Sequence, residues 1–368
     1  MNKNKLLFGL LPTITMILPS VVSCSKEVDQ KIWFVTDGGS VDDKSFNQQG
    51  KEALEEIIHD TKPIVSIKER TTSSIVSGYE IAANFGAEYI LTPGYLHSQA
   101  IDEWNKNFGM DVINFLLIDA PSNGRKDVAS LLFKTQESAF LAGVLSGLYL
   151  QSIGDIDPKV GIWGGENIPS VTDYIIGYVD GIDYYNNNLL NESPKVTFAK
   201  LGSDSAYTNS GFVVGGGTPK ATTLLNNGAD ILFPVAGPQI VDALQAVNSF
   251  GDQMVIGVDS DQSLQYPSQK DRILTSVVKD IKNGLIGLYE KAINSPQAPL
   301  WAQGPGKDSL GDVFNGLTGI MPLPSSLSSL NNIYEDSIKP EILAEAKKIS
   351  LKNGINNWEK TLEQLKLM

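Results

Sequence analysis

The chain has 368 residues, a formal net charge of −13 at pH 7 and 42% hydrophobic residues, which suits a globular protein with room for two domains. Such an acidic chain argues against nucleic acid as a partner, because a phosphate backbone attracts basic surfaces. One cysteine and two histidines allow no intramolecular disulfide and supply few of the ligands that zinc or iron prefers. We therefore expect no metal and no cofactor.

The N-terminus has the pattern of a secretory signal. Two lysines precede an apolar run over residues 6–22, and small residues precede the single cysteine, Cys24. This pattern resembles a bacterial lipobox, in which a lipid is attached to the thiol. A transmembrane helix is one alternative, but the run is slightly short of about 20 residues and contains two prolines; a buried thiol is another. We expect a signal peptide over residues 1–23, a tether over 24–30 and an extracytoplasmic protein that a lipid on Cys24 anchors to the cell membrane.

Predicted strands and helices alternate through the first part of the chain. The apolar spacing after the first strand indicates a helix, which Asp42 or Asp43 is expected to cap. Strand–helix–strand units with this spacing are typical of a parallel sheet. The predicted strands are 31–36, 63–67, 89–92 and 114–118, and the predicted helices are 46–58, 73–85 and 97–108.

A second series of the same kind begins near Thr135. Its predicted strands are 159–163, 195–201, 231–235, 254–258 and 272–278, and its predicted helices are 137–150, 171–185, 220–227, 240–250 and a segment that ends near 294. A stretch rich in Pro, Gly and Ser (295–329) and a polar helix (342–367) close the chain. We expect two α/β lobes, one made of residues 30–129 with 258–297 and the other of 130–257 with 298–368. Both histidines are expected at the surface.

Ligands of open parallel sheets bind beyond the carboxyl ends of the strands, so the residues at those ends are candidates for a binding site. They include no histidine and no cysteine, and the set suits hydrogen bonding to hydroxyls and amides better than proton transfer near neutral pH. Each candidate also has a structural explanation that involves no ligand: the aspartates could cap loops, the lysine could be solvent-exposed and the phenylalanine could belong to the core. The candidates are Asp37, Phe46, Asn47, Asp119, Gly237, Asp259 and Lys279.

Five stretches of the chain resemble motifs of the basic membrane protein family, the substrate-binding lipoproteins of ABC transporters, and they occur in the same order as in that family. The resemblance covers residues 31–347 and implies two three-layer α/β/α lobes with parallel sheets, of the type I periplasmic-binding-protein kind, that close over a ligand. It also implies a nucleoside ligand, with a purine in first place, an ABC permease as partner and no enzymatic activity. We expect a monomer. The stretches are Asp37–Gln48, Glu137–Gly143, Gly164–Gly181, Ile256–Gln262 and Leu274–Lys279.

The resemblance further implies a role for each candidate. Phe46 and a second aromatic residue on the opposite lobe would sandwich the base, and position suggests Phe212 for the second. The loop around Phe212 (211–217) departs from the family, because it lacks the polar side chains of a Phe-Asn-Asp-like turn, and Pro238 also stands where a small residue is usual. Asp37, Asn47 and Asp119 would bond the base or the cleft edge, Asp259 and Lys279 would hold the ribose, and Gly237 would let backbone approach the ligand.

Two other functions remain open at this point. Nucleoside hydrolases begin with a similar cluster of aspartates that binds calcium, but here Val35 takes the place of the first aspartate and one extra residue separates Asp37 from Asp42 and Asp43. A calcium ion needs about six to eight oxygen ligands, which this spacing does not obviously supply. A surface lipoprotein without a small-molecule ligand is the other alternative, and it predicts an empty or collapsed cleft.

Overall fold

The computed structural model describes residues 31–353, except residues 61, 111, 202–204, 209, 295–307, 314 and 334–338. The predicted signal peptide, the tether and Cys24 lie outside the described residues, and so does the last part of the predicted C-terminal helix. Among the described residues, no helix is both long enough and apolar enough to span a bilayer.

Strands and helices alternate along the described chain. The strands are β1 (Ile32–Val35), β2 (Ile64–Val65), β3 (Tyr89–Pro93), β4 (Asn114–Ile118), β5 (Val128–Phe133), β6 (Lys159–Gly164), β7 (Thr197–Phe198), β8 (Ile231–Val235), β9 (Met254–Asp259), β10 (Ile273–Lys279), β11 (Asp308–Gly311) and β12 (Thr318–Ile320). The α-helices are α1 (Phe46–Ile58), α2 (Thr72–Asn84), α3 (His97–Phe108), α4 (Thr135–Ser152), α5 (Pro169–Tyr184), α6 (Thr218–Asn226), α7 (Ile240–Phe250), α8 (Gln262–Gln265), α9 (Ile281–Ile293), α10 (Ser328–Ile333) and α11 (Lys339–Asn353).

The described strands form two six-stranded sheets with matching connectivity. The first has the order β11-β5-β4-β3-β1-β2, and all its pairs are parallel. The second has the order β12-β10-β9-β8-β6-β7, and among its pairs only β10 with β12 is antiparallel. β4 and β9 therefore hold the same place in their sheets, and so do β1 and β6.

Helices cover both faces of each sheet, which confirms the predicted three-layer lobes. In the first lobe α2 and α3 pack on one face and α1 and α9 on the other. In the second lobe α4, α5 and α11 cover one face and α6 and α7 the other. The strands are nearly continuous apolar runs because both of their faces are buried.

The structure corrects the expected lobe boundaries. β9 and β10 belong to the second sheet, so residues 258–279 lie in the second lobe, not in the first. α9 packs on the first lobe, β11 joins the first sheet and β12 joins the second. The described chain therefore crosses between the lobes after β5, after β10 and after β11. An apolar strand pattern predicts burial but does not say which sheet the strand joins, which is why the boundary was misplaced.

His97 is buried, so the expectation that both histidines lie at the surface is wrong. Its Nδ1 atom lies 2.6 Å from the hydroxyl oxygen of Tyr79, and the side chain has no exposed surface. Burial lowers the pKa of His97 to about 3, so the ring is neutral near pH 7. The residue is part of the first lobe's core.

Candidate ligand-binding site

A cavity of about 530 Å³ lies between the lobes, at the carboxyl ends of both sheets. Its volume is within the range of small-molecule pockets. All eight residues that the sequence analysis proposed as ligand contacts line this cavity. They are Asp37, Phe46, Asn47, Asp119, Phe212, Gly237, Asp259 and Lys279.

The turn after β1 is organised by Asp43. Its Oδ1 accepts hydrogen bonds from the backbone N–H groups of Ser45 (2.9 Å) and Gln48 (3.1 Å), and its Oδ2 accepts one from that of Asn47 (3.0 Å). These bonds satisfy donors at the start of α1, which confirms Asp43 as the capping residue. Asp42 instead pairs with Lys51 at 2.6 Å and is mostly exposed.

This turn also sets the orientation of two candidates. Phe46 is the first residue of α1, and its half-buried ring packs against the first-lobe core and lines the cavity. The Nδ2 atom of Asn47 donates to the carbonyl of Gly38 (3.2 Å) and to Asp43 (3.1 Å). Since both partners are acceptors, the amide orientation is determined, and its Oδ1 is the atom still able to accept a hydrogen bond.

Asp119 directly follows β4, Asp259 is the last residue of the equivalent strand β9, and their φ angles are both positive, 68° and 64°. Asp119 Oδ2 lies 2.7 Å from the Nζ atom of Lys279, and both side chains are almost completely buried. Burial raises the pKa of Asp119, and the lysine opposes that rise. Lys279 belongs to the second lobe, so this ion pair bridges the cleft.

Asp259 is held by two hydroxyl groups. Tyr174 donates to its Oδ1 and Ser45 to its Oδ2, both at 3.0 Å. Burial, together with the nearby carboxylate, raises the pKa of Tyr174 well above its usual range, so the phenol stays a donor. The ion-pair partner of Lys279 is Asp119 and not Asp259, although all three residues line the cavity. Each oxygen of Asp259 can accept one further hydrogen bond.

Asp37, at the end of β1, has a strongly shifted pKa. Burial raises it to about 7, against the opposing influence of Arg70, whose Nη2 lies 3.9 Å from Oδ2. Asp43 and Glu166 add to the rise. Gly94 has φ 131°, and a Cβ atom there would overlap the Asp37 carboxyl group, so only glycine leaves room for it. Near neutral pH, Asp37 can act as a hydrogen-bond donor or acceptor.

Arg70, in the loop after β2, reaches across the cleft. Its Nη1 lies 2.6 Å from Glu166 Oε1, and its guanidinium carbon lies 5.1 Å from the ring centroid of Phe212. Glu166 and Phe212 belong to the second lobe. Phe212 therefore lines the cavity with its ring in contact with a cation.

Among the described residues, no group of three or more His, Cys, Asp or Glu side chains could hold a metal ion. The carboxylates after β1 have separate partners. Asp42 pairs with Lys51, Asp43 caps α1, and Asp37 lies beside Arg70.

Comparison with known proteins identifies the family. The family model described as ABC transporter substrate-binding protein PnrA-like matches residues 30–355. The chain belongs to this Bmp family. The basic membrane protein A1 of Borrelia garinii subsp. bavariensis is 27% identical over 77% of this chain and 78% of its own length. The ABC transporter nucleoside-binding protein BmpA of Lactococcus lactis subsp. cremoris is 26% identical over 69% and 72%.

Solved structures show the same fold. An ABC transporter system solute-binding protein from Aeropyrum pernix K1 superposes with a TM-score of 0.65, at 19% identity, over 91% of this chain and 90% of its own. The chain is thus an ABC transporter substrate-binding protein with a two-lobe α/β fold, and the resemblance seen in the five sequence stretches is confirmed.

Sequence reasoning did not single out three polar residues that contact the candidates: Arg70 and Tyr174, which line this Bmp-family cavity, and Ser45, which donates to Asp259. The rule that ligands bind beyond strand ends would have found Arg70 had it also been applied to the strand predicted at 63–67. Tyr174 lies inside the Gly164–Gly181 stretch, and Ser45 lies in the Asp37–Gln48 stretch. Neither carries a sequence signal for its contact with Asp259, because the Tyr174 contact depends on how α5 packs within the second lobe and the Ser45 contact on how the lobes meet.

Proposed function

We propose that this Bmp-family protein is the receptor of an ABC importer and binds a nucleoside, a purine nucleoside in first place, between its lobes. The observation that carries the proposal is the interlobe cavity, which combines aromatic, carboxylate, amide and lysine groups from both lobes. The name of the Lactococcus lactis relative, a nucleoside-binding protein, supports the ligand class.

In this proposal the base stacks on Phe46. Aromatic stacking contributes about 0.5–1.5 kcal/mol beyond the burial of area. The acceptor oxygen of Asn47, the carboxyl group of Asp37 and the Asp119 carboxylate would meet polar atoms of the base. Phe212 is the proposed second aromatic partner, and it would share its ring with the guanidinium of Arg70.

The ribose is assigned to Asp259. Tyr174 and Ser45 orient its carboxylate, and each oxygen can still accept one hydroxyl, which matches the paired 2′ and 3′ hydroxyls. Lys279 would complete this end of the site through its pair with Asp119. Gly237 has φ 51°, a backbone conformation that favours glycine, and in this proposal its backbone lies against the ligand.

We further propose that the mature protein is a monomer anchored outside the cytoplasm by a lipid on Cys24. A lobe pair closed on its ligand would present a defined shape to the permease. Such a receptor carries no catalysis. The sequence of this turn supports binding over calcium-dependent hydrolysis, since Val35 stands in place of the first aspartate and one extra residue separates Asp37 from Asp42 and Asp43.

The deciding experiment is mass spectrometry of small molecules released when the purified protein is denatured, followed by calorimetric titration with the nucleosides found. We expect one nucleoside per protein chain and saturable binding. Absence of any nucleoside, with no heat from adenosine, guanosine, inosine or pyrimidine nucleosides, would contradict the proposal. Release of free base at enzyme-like rates, stopped by a chelator, would show a hydrolase instead.

A further inference from the structure

Arg70 makes contacts on both sides of the cleft. It belongs to the first lobe, whereas its ion-pair partner Glu166 follows β6 in the second lobe. The distance between Arg70 Nη1 and Glu166 Oε1 is 2.6 Å. Its guanidinium also lies 5.1 Å from the centroid of Phe212, a second-lobe ring. The Arg70 side chain thus forms an ion pair and a cation–π contact with the opposite lobe, and neither contact needs a bound ligand.

The surroundings of Arg70 are shaped to hold this side chain. Gly38 has φ 125°, and a Cβ atom there would overlap the aliphatic part of Arg70. Gly211 has φ 62°, and a Cβ atom there would lie 3.0 Å from Nη1. The Arg70 and Glu166 side chains are only 23% and 27% exposed, so water and salt screen this pair less than a surface pair.

The Arg70–Glu166 pair can be broken at Glu166 without removing a proposed ligand group. Two of the other polar contacts between the lobes, Lys279–Asp119 and Ser45–Asp259, involve residues assigned to the ligand. Glu166 is not among the residues that line the cavity. Its charge also raises the pKa of Asp37, so the scattering of the ligand-free protein, rather than affinity, is the readout that reports on the clamp alone.

We propose that Arg70 is a positioning residue that clamps the lobes together through Glu166 and Phe212, and so sets the fraction of molecules in the closed form. This inference rests on the proposed function only for its effect on nucleoside affinity. A ligand that binds the closed form has an apparent affinity proportional to the closed fraction. The clamp therefore raises affinity and slows ligand release.

The test compares Glu166→Gln with Glu56→Gln in full-length protein that carries Cys24→Ser. Glu56 pairs with Lys282 at the same 2.6 Å, but both residues lie within the first lobe. Small-angle X-ray scattering without added nucleoside should show a larger radius of gyration for Glu166→Gln only. Nucleoside affinity should fall roughly three- to tenfold, mainly through faster dissociation, and saturating nucleoside should restore compactness.

Arg70→Gln and the double variant Arg70→Gln/Glu166→Gln complete the test. If Glu166 acts through Arg70, the double variant should open no further than Arg70→Gln alone. An unchanged radius of gyration and affinity for Glu166→Gln, or equal changes in Glu56→Gln, would overturn the clamp. If no variant and no parent protein binds nucleosides, the proposed function fails, whereas the scattering comparison still decides the clamp.

Discussion

Asp119 and Asp259 are the residues whose backbone conformation most clearly marks the site. A positive φ is unusual for a non-glycine residue and costs free energy that the surrounding structure must supply. Asp119 is held there by Lys279, and Asp259 is held by Tyr174 and Ser45. Both carboxylates are bound by side chains from the opposite lobe or element, and not by the backbone of their own loops. Loop capping, the simpler alternative for these residues, therefore does not account for the contacts.

Phe46→Ala should weaken nucleoside binding by about 1–3 kcal/mol, or roughly ten- to a hundredfold, because it removes the proposed stacking surface. Calorimetric titration measures the affinity, and thermal unfolding is the control, since the ring also packs on the first-lobe core. A strongly destabilised variant whose folded fraction binds normally would show that Phe46 is a core residue only.

Asp259→Ala should weaken nucleoside binding strongly, because loss of a hydrogen-bond partner with a charge costs about 1.5–3 kcal/mol. The parent protein should in turn bind 2′,3′-dideoxynucleosides poorly. Tyr174→Phe, which removes only a donor to Asp259, should have a smaller effect on affinity. Equal affinities for dideoxy and normal nucleosides would disprove the ribose assignment.

Asp37→Asn should change how stability depends on pH. The raised pKa means that the folded state keeps a proton that the unfolded state has lost, so Asp37 lowers stability as pH rises from its ordinary 3.8 towards about 7. The asparagine variant should therefore gain roughly 2–3 kcal/mol relative to the parent between pH 5 and pH 8. Chemical unfolding at both pH values measures this, and a difference that is the same at both would contradict the shifted pKa.

At the scale of elements, α4 and α5 pack unusually closely. A Cβ atom at Gly177 would overlap the backbone of Gln136, and one at Gly143 would overlap that of Tyr178. The small residues of α4, such as Ala139, Ala142 and Gly147, allow such close packing. The contact matters for the site because α5 carries Tyr174, the donor to Asp259.

Gly177→Ala should destabilise the protein by about 1–3 kcal/mol, because the added methyl group meets backbone that has no room to move. Gly287→Ala in α9 is the matched control. A Cβ atom there meets nothing within 4 Å, so the better helix propensity of alanine should stabilise by about 0.5–1 kcal/mol. Denaturant titration gives both values, and destabilisation of similar size at the two positions would refute the packing argument.

At the scale of the whole molecule, the first lobe is tied to the chain crossing after β10. The side-chain amide of Gln49, on α1, donates to the carbonyl of Asp259 at 2.9 Å and accepts from the N–H of Ile281 at 2.9 Å. One residue therefore joins the first lobe to the end of β9 and to the start of α9. A movement of the lobes about this crossing would therefore change the position of Asp259 through its hydrogen bond with Gln49.

Cys24→Ser should release the protein from the membrane fraction, because the serine hydroxyl cannot take the thioether-linked lipid. Fractionation of cells that express either form, with metabolic labelling by a fatty acid, measures the change. A labelled, membrane-bound serine variant would contradict the proposed anchor, whereas nucleoside binding should be the same in both forms.

Local signals in the chain were enough for most elements of the fold. The apolar periodicity predicted α3 and β4 with their observed bounds. β5, β11 and β12 were missed. β11 and β12 are short strands in a stretch whose composition is typical of loops, and they are stabilised by pairing with β5 and β10 rather than by their own pattern.

The sequence by itself determined the α/β alternation and seven of the eight candidate residues, since strand ends in a parallel sheet gather at one edge, and its resemblance to the family pointed to Phe212. The tertiary structure alone decided which sheet β10 joins, that Lys279 pairs with Asp119, and that Arg70 meets Glu166. These contacts join residues 96 and 160 positions apart. Spacing along a chain constrains neighbours within an element, whereas the partner of a side chain across a cleft depends on how the two lobes pack and face each other.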